Sequence, residues 1–390
     1  MKYDFDEIIE RCGTDCIKFD FARERGMPEG LLPMWVADMD FRTPPEVIER
    51  LVEVARHGIF GYTETKENYF LALKNWFQSR FGYEFKPSWL KKTPGVVYAL
   101  ATAIRAFTKP GDPVLIQTPV YYPFSGCVKE NGRHLVESPL VYQNGQYSMD
   151  FSDLAAKIKN QSIRLMLLCS PHNPVSRVWT KEELLELGQI CLKNDCLVVS
   201  DEIHCDFVFG NHTHHIFPSL KPSFEQNTIL LTAPSKTFNL AGLQISNAII
   251  ANDSLKRLFS MEVSRTGFSQ LNTMGLAACQ AAYELGGPWL KELLAYLEGN
   301  LALAREYFET KLAPLRLVET QGTYLLWVDF RPLGLEEKAI NDLIINKAKL
   351  WLDHGAMFGA AGAGFQRINM ACPRKVLLDA LERLARALKK

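Results

Sequence analysis

Ile229-Leu-Leu-Thr-Ala-Pro-Ser-Lys236-Thr-Phe-Asn239 runs from an unbroken apolar segment straight into a lysine flanked by hydroxyls. A short apolar run closed by a polar turn reads as a strand buried on both faces, the kind found in parallel sheets. A lysine behind such a strand is ordinarily a surface residue. Partial burial at the strand end, or a nearby cation, would instead lower its pKa and make the amine a nucleophile.

Similar segments lie upstream. Leu197-Val-Val-Ser-Asp201-Glu202 ends an apolar strand in an acid, Leu165–Ser170 leads into the turn His172-Asn173-Pro174, and Val114–Thr118 is followed by Pro119-Val-Tyr121. A Thr180-capped helix to about Asn194 stands between two of these strands. Strands alternating with helices predict an α/β fold in which a mostly parallel sheet is covered on both faces, with ligands bound beyond the carboxyl ends of its strands. Nearer the start, Thr43-Pro44-Pro45-Glu46 reads as a capping box with Thr43 as cap and Pro44 first in the helix, which Gly58 ends. After about Gly286 the texture changes to a long helix through Glu306, an extended Thr323–Phe330 run, a helix near Leu335–His354 and a final basic helix. The expected division is an N-terminal arm (1–45), a large domain (46–285) and a smaller α+β domain (286–390).

Over 390 residues, two domains are the default. Lys plus Arg and Asp plus Glu each number 44, so no net field favours nucleic acid or an anionic membrane, and a small neutral or zwitterionic substrate fits better. The acidic start MKYDFDEIIERCG lacks the basic and apolar regions of a signal peptide, and the chain has no apolar run long enough to cross a bilayer, so the expected location is the cytoplasm. Nine scattered cysteines without zinc-type spacing read as reduced, mostly buried thiols, Cys12 and Cys16 included, with a redox pair of these two as the alternative to packing. His212, His214 and His215 read as a solvated loop without a carboxylate partner, and no metal is called for.

The strand-end residues suggest one chemistry. A carboxylate buried at Asp201 costs several kcal/mol unless paired, so it needs either a structural cation or a ligand donor. A pyridinium N–H is such a donor, and pairing would keep the ring protonated as an electron sink. Asn173 could donate to a phenolic oxygen of the same ring, and the Tyr121 ring could stack on it. Gly95, Val96 and Val97 open a helix whose free N–H groups would cradle a phosphate, helped by the Ser235 hydroxyl. Arg367, behind the glycine-rich stretch Gly355–Gly364, suits a carboxylate gripped in two-point fashion. His204 reads as support for the site rather than its base.

Together with Leu32-Pro-Met-Trp-Val-Ala-Asp38-Met-Asp40-Phe, Phe60-Gly-Tyr62-Thr, Thr118-Pro-Val-Tyr121-Tyr-Pro-Phe, Asp201-Glu-Ile-His204 and Ser235-Lys236-Thr-Phe-Asn-Leu-Ala-Gly, these residues resemble the fold-type I pyridoxal phosphate enzymes, the aspartate aminotransferase-like superfamily. Within it they resemble the MalY/PatB branch of cystathionine β-lyases, or carbon–sulfur lyases. The resemblance implies a seven-stranded type of sheet, pyridoxal 5'-phosphate as cofactor and Lys236 as its Schiff-base lysine. It implies Asp201 on the ring nitrogen, Asn173 on the phenolic oxygen, Tyr121 on the ring and Arg367 on the substrate's carboxylate. It further implies a homodimer in which Tyr62 reaches into the partner's site. An aminotransferase would use the same residues and remains the alternative; a cofactor-binding regulatory protein is a third reading. Three residues depart from the pattern: Gln244 stands where many aminotransferases have a phosphate-binding arginine, Ser176 where the branch has glycine, and Tyr98 where proline is common.

Overall fold

The computed structural model of the chain describes residues 2–389. Its main sheet has seven strands: β1 (Leu90–Thr93), β2 (Pro113–Ile116), β3 (His134–Glu137), β4 (Leu165–Cys169), β5 (Leu197–Asp201), β6 (Thr228–Thr232) and β7 (Ser246–Ile249). Their spatial order is β1-β7-β6-β5-β4-β2-β3. From β6 to β3 all neighbours run parallel, whereas β7 is antiparallel to both β6 and β1. Every residue of β4, β5 and β6 is buried, as a sheet covered on both faces requires. Pairing sets Cys169 beside Asp201 and Asp201 beside Leu231, so the carboxyl ends of β4, β5 and β6 lie level. Lys236 follows β6 in the short helical turn Pro234–Thr237.

The helix Lys181–Lys193 starts as its sequence dictates. Thr180 accepts from the Glu183 N–H while the Glu183 carboxylate accepts from the Thr180 N–H at 2.8 Å, a reciprocal cap contributing about 1 kcal/mol. The expectation for Thr43 fails. The helix is Pro45–His57, its cap is Pro44 and no side chain bonds the first turn. The second proline, not the first, holds the first helical position, so the helix starts one residue late and the Thr43 hydroxyl is left buried without a partner. Gly58 ends the helix in the left-handed conformation, as expected.

A second, antiparallel sheet is built from β8 (Arg316–Leu317), β9 (Leu325–Asp329), β10 (Asp353–His354) and β11 (Phe365–Asn369) in the order β8-β9-β11-β10. The helices Gly287–Thr310 and Arg374–Leu388 belong to this part of the chain. The helix expected near Leu335–His354 is cut short: Glu337–Asp342 is α-helical, Leu343–Lys347 forms a single wider turn, and Lys349 takes a left-handed conformation. Leu350–Trp351 then pairs in parallel with Leu32–Pro33, and this long-range pairing overrides the local helical pattern. The N-terminal segment also inserts Phe5 against Trp289 and Tyr296, with ring centroids 5.7 and 5.5 Å apart. Residues 35–41 leave this pairing as a strap that runs to the carboxyl ends of the main strands.

The histidine stretch is not wholly solvated. His214 is buried with Nε2 at 2.7 Å from Glu202, a carboxylate that also accepts from the Ser200 hydroxyl and the Phe217 N–H. The partner lies twelve residues upstream, on the far side of the turn after β5, which is why local spacing does not reveal it. His212 stays exposed and His215 half-buried. No helix of the described residues is long and apolar enough to cross a membrane.

Candidate active site

Beyond the level ends of β4, β5 and β6 lies an open-mouthed cavity of about 740 Å³, open solvent space included. Asp201 enters its wall as the last residue of β5 and His204 from the turn after it, Ser235 and Lys236 from behind β6, and Asn173 and Tyr121 from the turns after β4 and β2. Gly95, Val96 and Val97 complete it at the start of the helix Val96–Phe107, whose first turn has no side-chain cap. Its orphan N–H groups suit an anion. Nine of the eleven residues singled out from sequence thus converge on one cavity, and the exceptions are Arg367 and Tyr62.

Lys236 keeps part of its surface open to the cavity, yet protein surrounds its ammonium. Burial, with the Arg367 cation adding to it, lowers its pKa to about 8, against the opposing pull of Asp38 and Asp201. Its amine donates to the carbonyl of Ala37 in the strap at 2.7 Å. Asp201 is buried and among the described residues has no cation within ion-pair distance; the Ile203 N–H is its hydrogen-bond donor, at 3.1 Å. Burial therefore pushes its carboxyl up to about 7, only partly countered by that N–H and by Lys236. A carboxylate in this state awaits a cationic donor. His204 is held well below its ordinary value by burial and by the cations Lys236 and Arg367, which makes its imidazole a weak base.

Arg367 on β11 sits behind this wall rather than in it. Its Nη1 donates to Asn173 Oδ1 at 3.0 Å and its Nη2 to the Trp35 carbonyl at 2.8 Å and to Asp353. The Nε–H is buried and has no partner among the described residues. The bond to Asn173 occupies the amide oxygen of that side chain and leaves its NH₂ group as a donor. Asp353 is the residue the sequence reading missed here; an acid two residues after the apolar pair Leu350–Trp351 was its only signal. Ala37 was missed too, because a backbone carbonyl carries no side-chain signature.

Tyr62 lies away from the cavity and is 98% exposed. It neighbours Ile59 and Phe60, which are 70% and 62% exposed. The three departures from pattern resolve separately. Ser176 does adopt a left-handed conformation (φ 57°), costing about 1 kcal/mol, and its hydroxyl bonds the Leu325 carbonyl and, at 3.0 Å, the Thr323 hydroxyl in compensation. Gln244, also left-handed, lies in the cavity wall with no arginine beside it there. Tyr98 points its hydroxyl to Thr266 at 2.6 Å and packs on Phe268, outside the cavity.

A cavity with a depressed lysine, an unpaired buried carboxylate and an uncapped helix start fits a phosphorylated pyridine aldehyde. The chain is 44% identical over 385 residues to the cystathionine beta-lyase PatB of Bacillus subtilis, covering 98% of this chain and 99% of the relative. Among solved structures it resembles cystalysin from Treponema denticola, which contains pyridoxal 5'-phosphate, with a TM-score of 0.96 and 39% identity over 100% of this chain and 99% of that one. It resembles the pyridoxal phosphate-bound C-S lyase of Staphylococcus hominis with a TM-score of 0.93 and 34% identity, over 100% of this chain and 98% of the other. The family profile of aminotransferase class I and II matches residues 31–384. With the fold, the cavity and these likenesses in agreement, the chain belongs to the aminotransferase class I and II family.

Proposed function

We propose that this chain is a pyridoxal phosphate-dependent carbon–sulfur β-lyase, which splits cystathionine or another cysteine S-conjugate and water into a thiol, pyruvate and ammonia. The observation that carries the cofactor chemistry is Lys236, with its lowered pKa, in one cavity with the buried, cation-free Asp201. When bound, the cofactor supplies an electron sink for the pair left at the substrate's Cα. Lys236 would hold it covalently and, once freed, take the Cα proton as a neutral amine. Asp201 would keep the ring N–H in place, Asn173 would donate to the phenolic oxygen, Tyr121 would lie against the ring, and His204 would back the site as a neutral support. Gly95, Val96, Val97 and Ser235 would take the phosphate. Arg367 would take the amino acid's carboxylate with the N–H groups left free by Asn173, Trp35 and Asp353. Elimination rather than transamination is favoured by likeness to a cystathionine β-lyase over nearly the whole chain.

The same reading divides the chain into an arm (1–45), a cofactor-binding domain (46–285) and a small domain (286–390). The separate four-stranded sheet and the arm's contacts with Trp289, Tyr296 and Leu350–Trp351 support this division. It also makes the working unit a homodimer in the cytoplasm, supported by the exposed aromatic and apolar cluster around Tyr62. The decisive assay is pyruvate release from cystathionine without any 2-oxo acid. Sustained turnover with equal pyruvate and thiol supports the lyase; a single turnover that resumes on adding a 2-oxo acid makes the chain an aminotransferase.

A further inference from the structure

Two donors meet on one backbone carbonyl of the strap. The Lys236 amine reaches Ala37 O at 2.7 Å, and the Tyr324 hydroxyl donates to the same oxygen at 2.9 Å. Tyr324 immediately precedes β9 and is completely buried. Its ring meets His204 edge-on at 5.7 Å and Phe207 edge-on at 4.8 Å, so the packing leaves the hydroxyl one direction.

The rest of the strap is held as firmly. Arg367 donates to Trp35 O at 2.8 Å, Asn369 to Val36 O and Asp38 O at 2.7 and 2.5 Å, and Asn239 to Met39 O at 2.9 Å. Outward from it, Asp38 and Asp40 are paired with Arg11, and Asp40 with the buried Lys18 at 2.7 Å. Ala37 is the strap residue that reaches the cavity wall. Packing alone would be satisfied by phenylalanine at 324; the hydroxyl is accounted for by the carbonyl it holds.

We propose that Tyr324 is a positioning residue: by filling one lone pair of Ala37 O it fixes that carbonyl as the seat of the Lys236 amine whenever the amine is not covalently engaged. A lysine side chain has several free torsions, and an unseated amine would seldom stand where the Cα proton must be removed. The strap thereby acts on the chemistry through a main-chain atom, with Tyr324 setting its orientation. This rests on the reading of Lys236 as the cofactor-bearing base.

The test is Tyr324→Phe in the full chain. In the cofactor-loaded protein, kcat for pyruvate release should fall about tenfold or more with KM changed less than about twofold, since the loss concerns orientation of the base and not substrate binding. In cofactor-free protein, the rate at which added pyridoxal phosphate becomes fixed on Lys236 by borohydride, read by peptide mapping, should slow at least about threefold. The control is Lys236→Ala supplied with methylamine as an external base: there, adding Tyr324→Phe should alter the rescued rate by less than about twofold, because no tethered amine remains to seat. An unchanged kcat, a rise in KM that accounts for the loss, or an equal loss in the rescued background would overturn the proposal, the last also covering a variant that merely folds poorly. If the unaltered protein is not fixed at Lys236, the cofactor reading itself fails, and that result is separate from the comparison of variants.

Discussion

Asp201 is costly to the protein until a ligand meets it. Its folded pKa is raised to about 7, so the folded state binds more protons than the unfolded one between the ordinary carboxyl range and that value. Stability of the cofactor-free protein therefore falls as pH rises through this window, and above it the cost is fully present, on the order of 4 kcal/mol. Asp201→Asn should raise the thermal midpoint of cofactor-free protein at pH 8 and lose that advantage toward pH 4, while abolishing turnover. A lower midpoint at pH 8 would mean that Asp201 is already paired. At Arg367, substitution by lysine keeps the charge but loses the fork that spans Asn173, Trp35 and Asp353. Arg367→Lys should raise the substrate KM about tenfold to a hundredfold with the visible cofactor band intact, as loss of a charged hydrogen bond predicts. Lys236→Ala should remove that band's shift on substrate-free protein, and a wild-type protein that stays colourless after incubation with pyridoxal phosphate would refute the assignment.

The strap shows how much of the site was legible at the scale of elements. Strands β2, β4, β5 and β6 were readable because continuous apolar runs end in polar turns, whereas β1 (Leu90–Thr93) and β3 (His134–Glu137), with polar residues at half or more of their positions, were not; the register of β4, β5 and β6 brings Asn173, Asp201 and Lys236 together. Strand β7 was not readable: Ser246-Asn247-Ala248-Ile249 is half polar and owes its place to bonds with β1 and β6 on either side. The Trp35–Phe41 segment stood out in sequence, but its work is done by carbonyls, so composition could not say what it does. Asn239, in a left-handed conformation, holds this segment through three bonds of 2.9–3.0 Å to Met39 and Phe41. Asn239→Ala removes all three and leaves alanine in a conformation it disfavours, which should destabilise the protein by about 2–4 kcal/mol in urea titration. It should also weaken retention of the cofactor on dialysis, and a stable variant with full retention would show that the strap's other anchors, among them Arg367, Asn369 and Tyr324, hold it without Asn239.

For the whole molecule, an exposed tyrosine flanked by Ile59 and Phe60 is an unusual surface for a protein that stays monomeric. If Tyr62 completes the site of a second copy, Tyr62→Ala and Lys236→Ala homodimers should each be nearly inactive. Mixed after reversible dissociation, random equal pairing gives half mixed dimers, each with one intact site, and activity should return to about a quarter of the unaltered protein. Absence of recovery, with exchange of subunits verified, would keep Tyr62 out of the partner's site.

The strap also fixes the order in which the protein can be finished during synthesis. Residues 35–41 leave the ribosome early, but the side chains that seat Trp35, Val36 and Asp38 belong to Arg367 and Asn369, between 331 and 333 positions later. A nascent chain can pair β2 to β7 well before those residues appear, since domains form as their own segments emerge. Until then the strap has its anchors at Asn239 and Tyr324 but lacks those two. A chain terminated shortly before β11 should therefore hold the wall over Lys236 less firmly and lose pyridoxal phosphate on dialysis faster than the full chain.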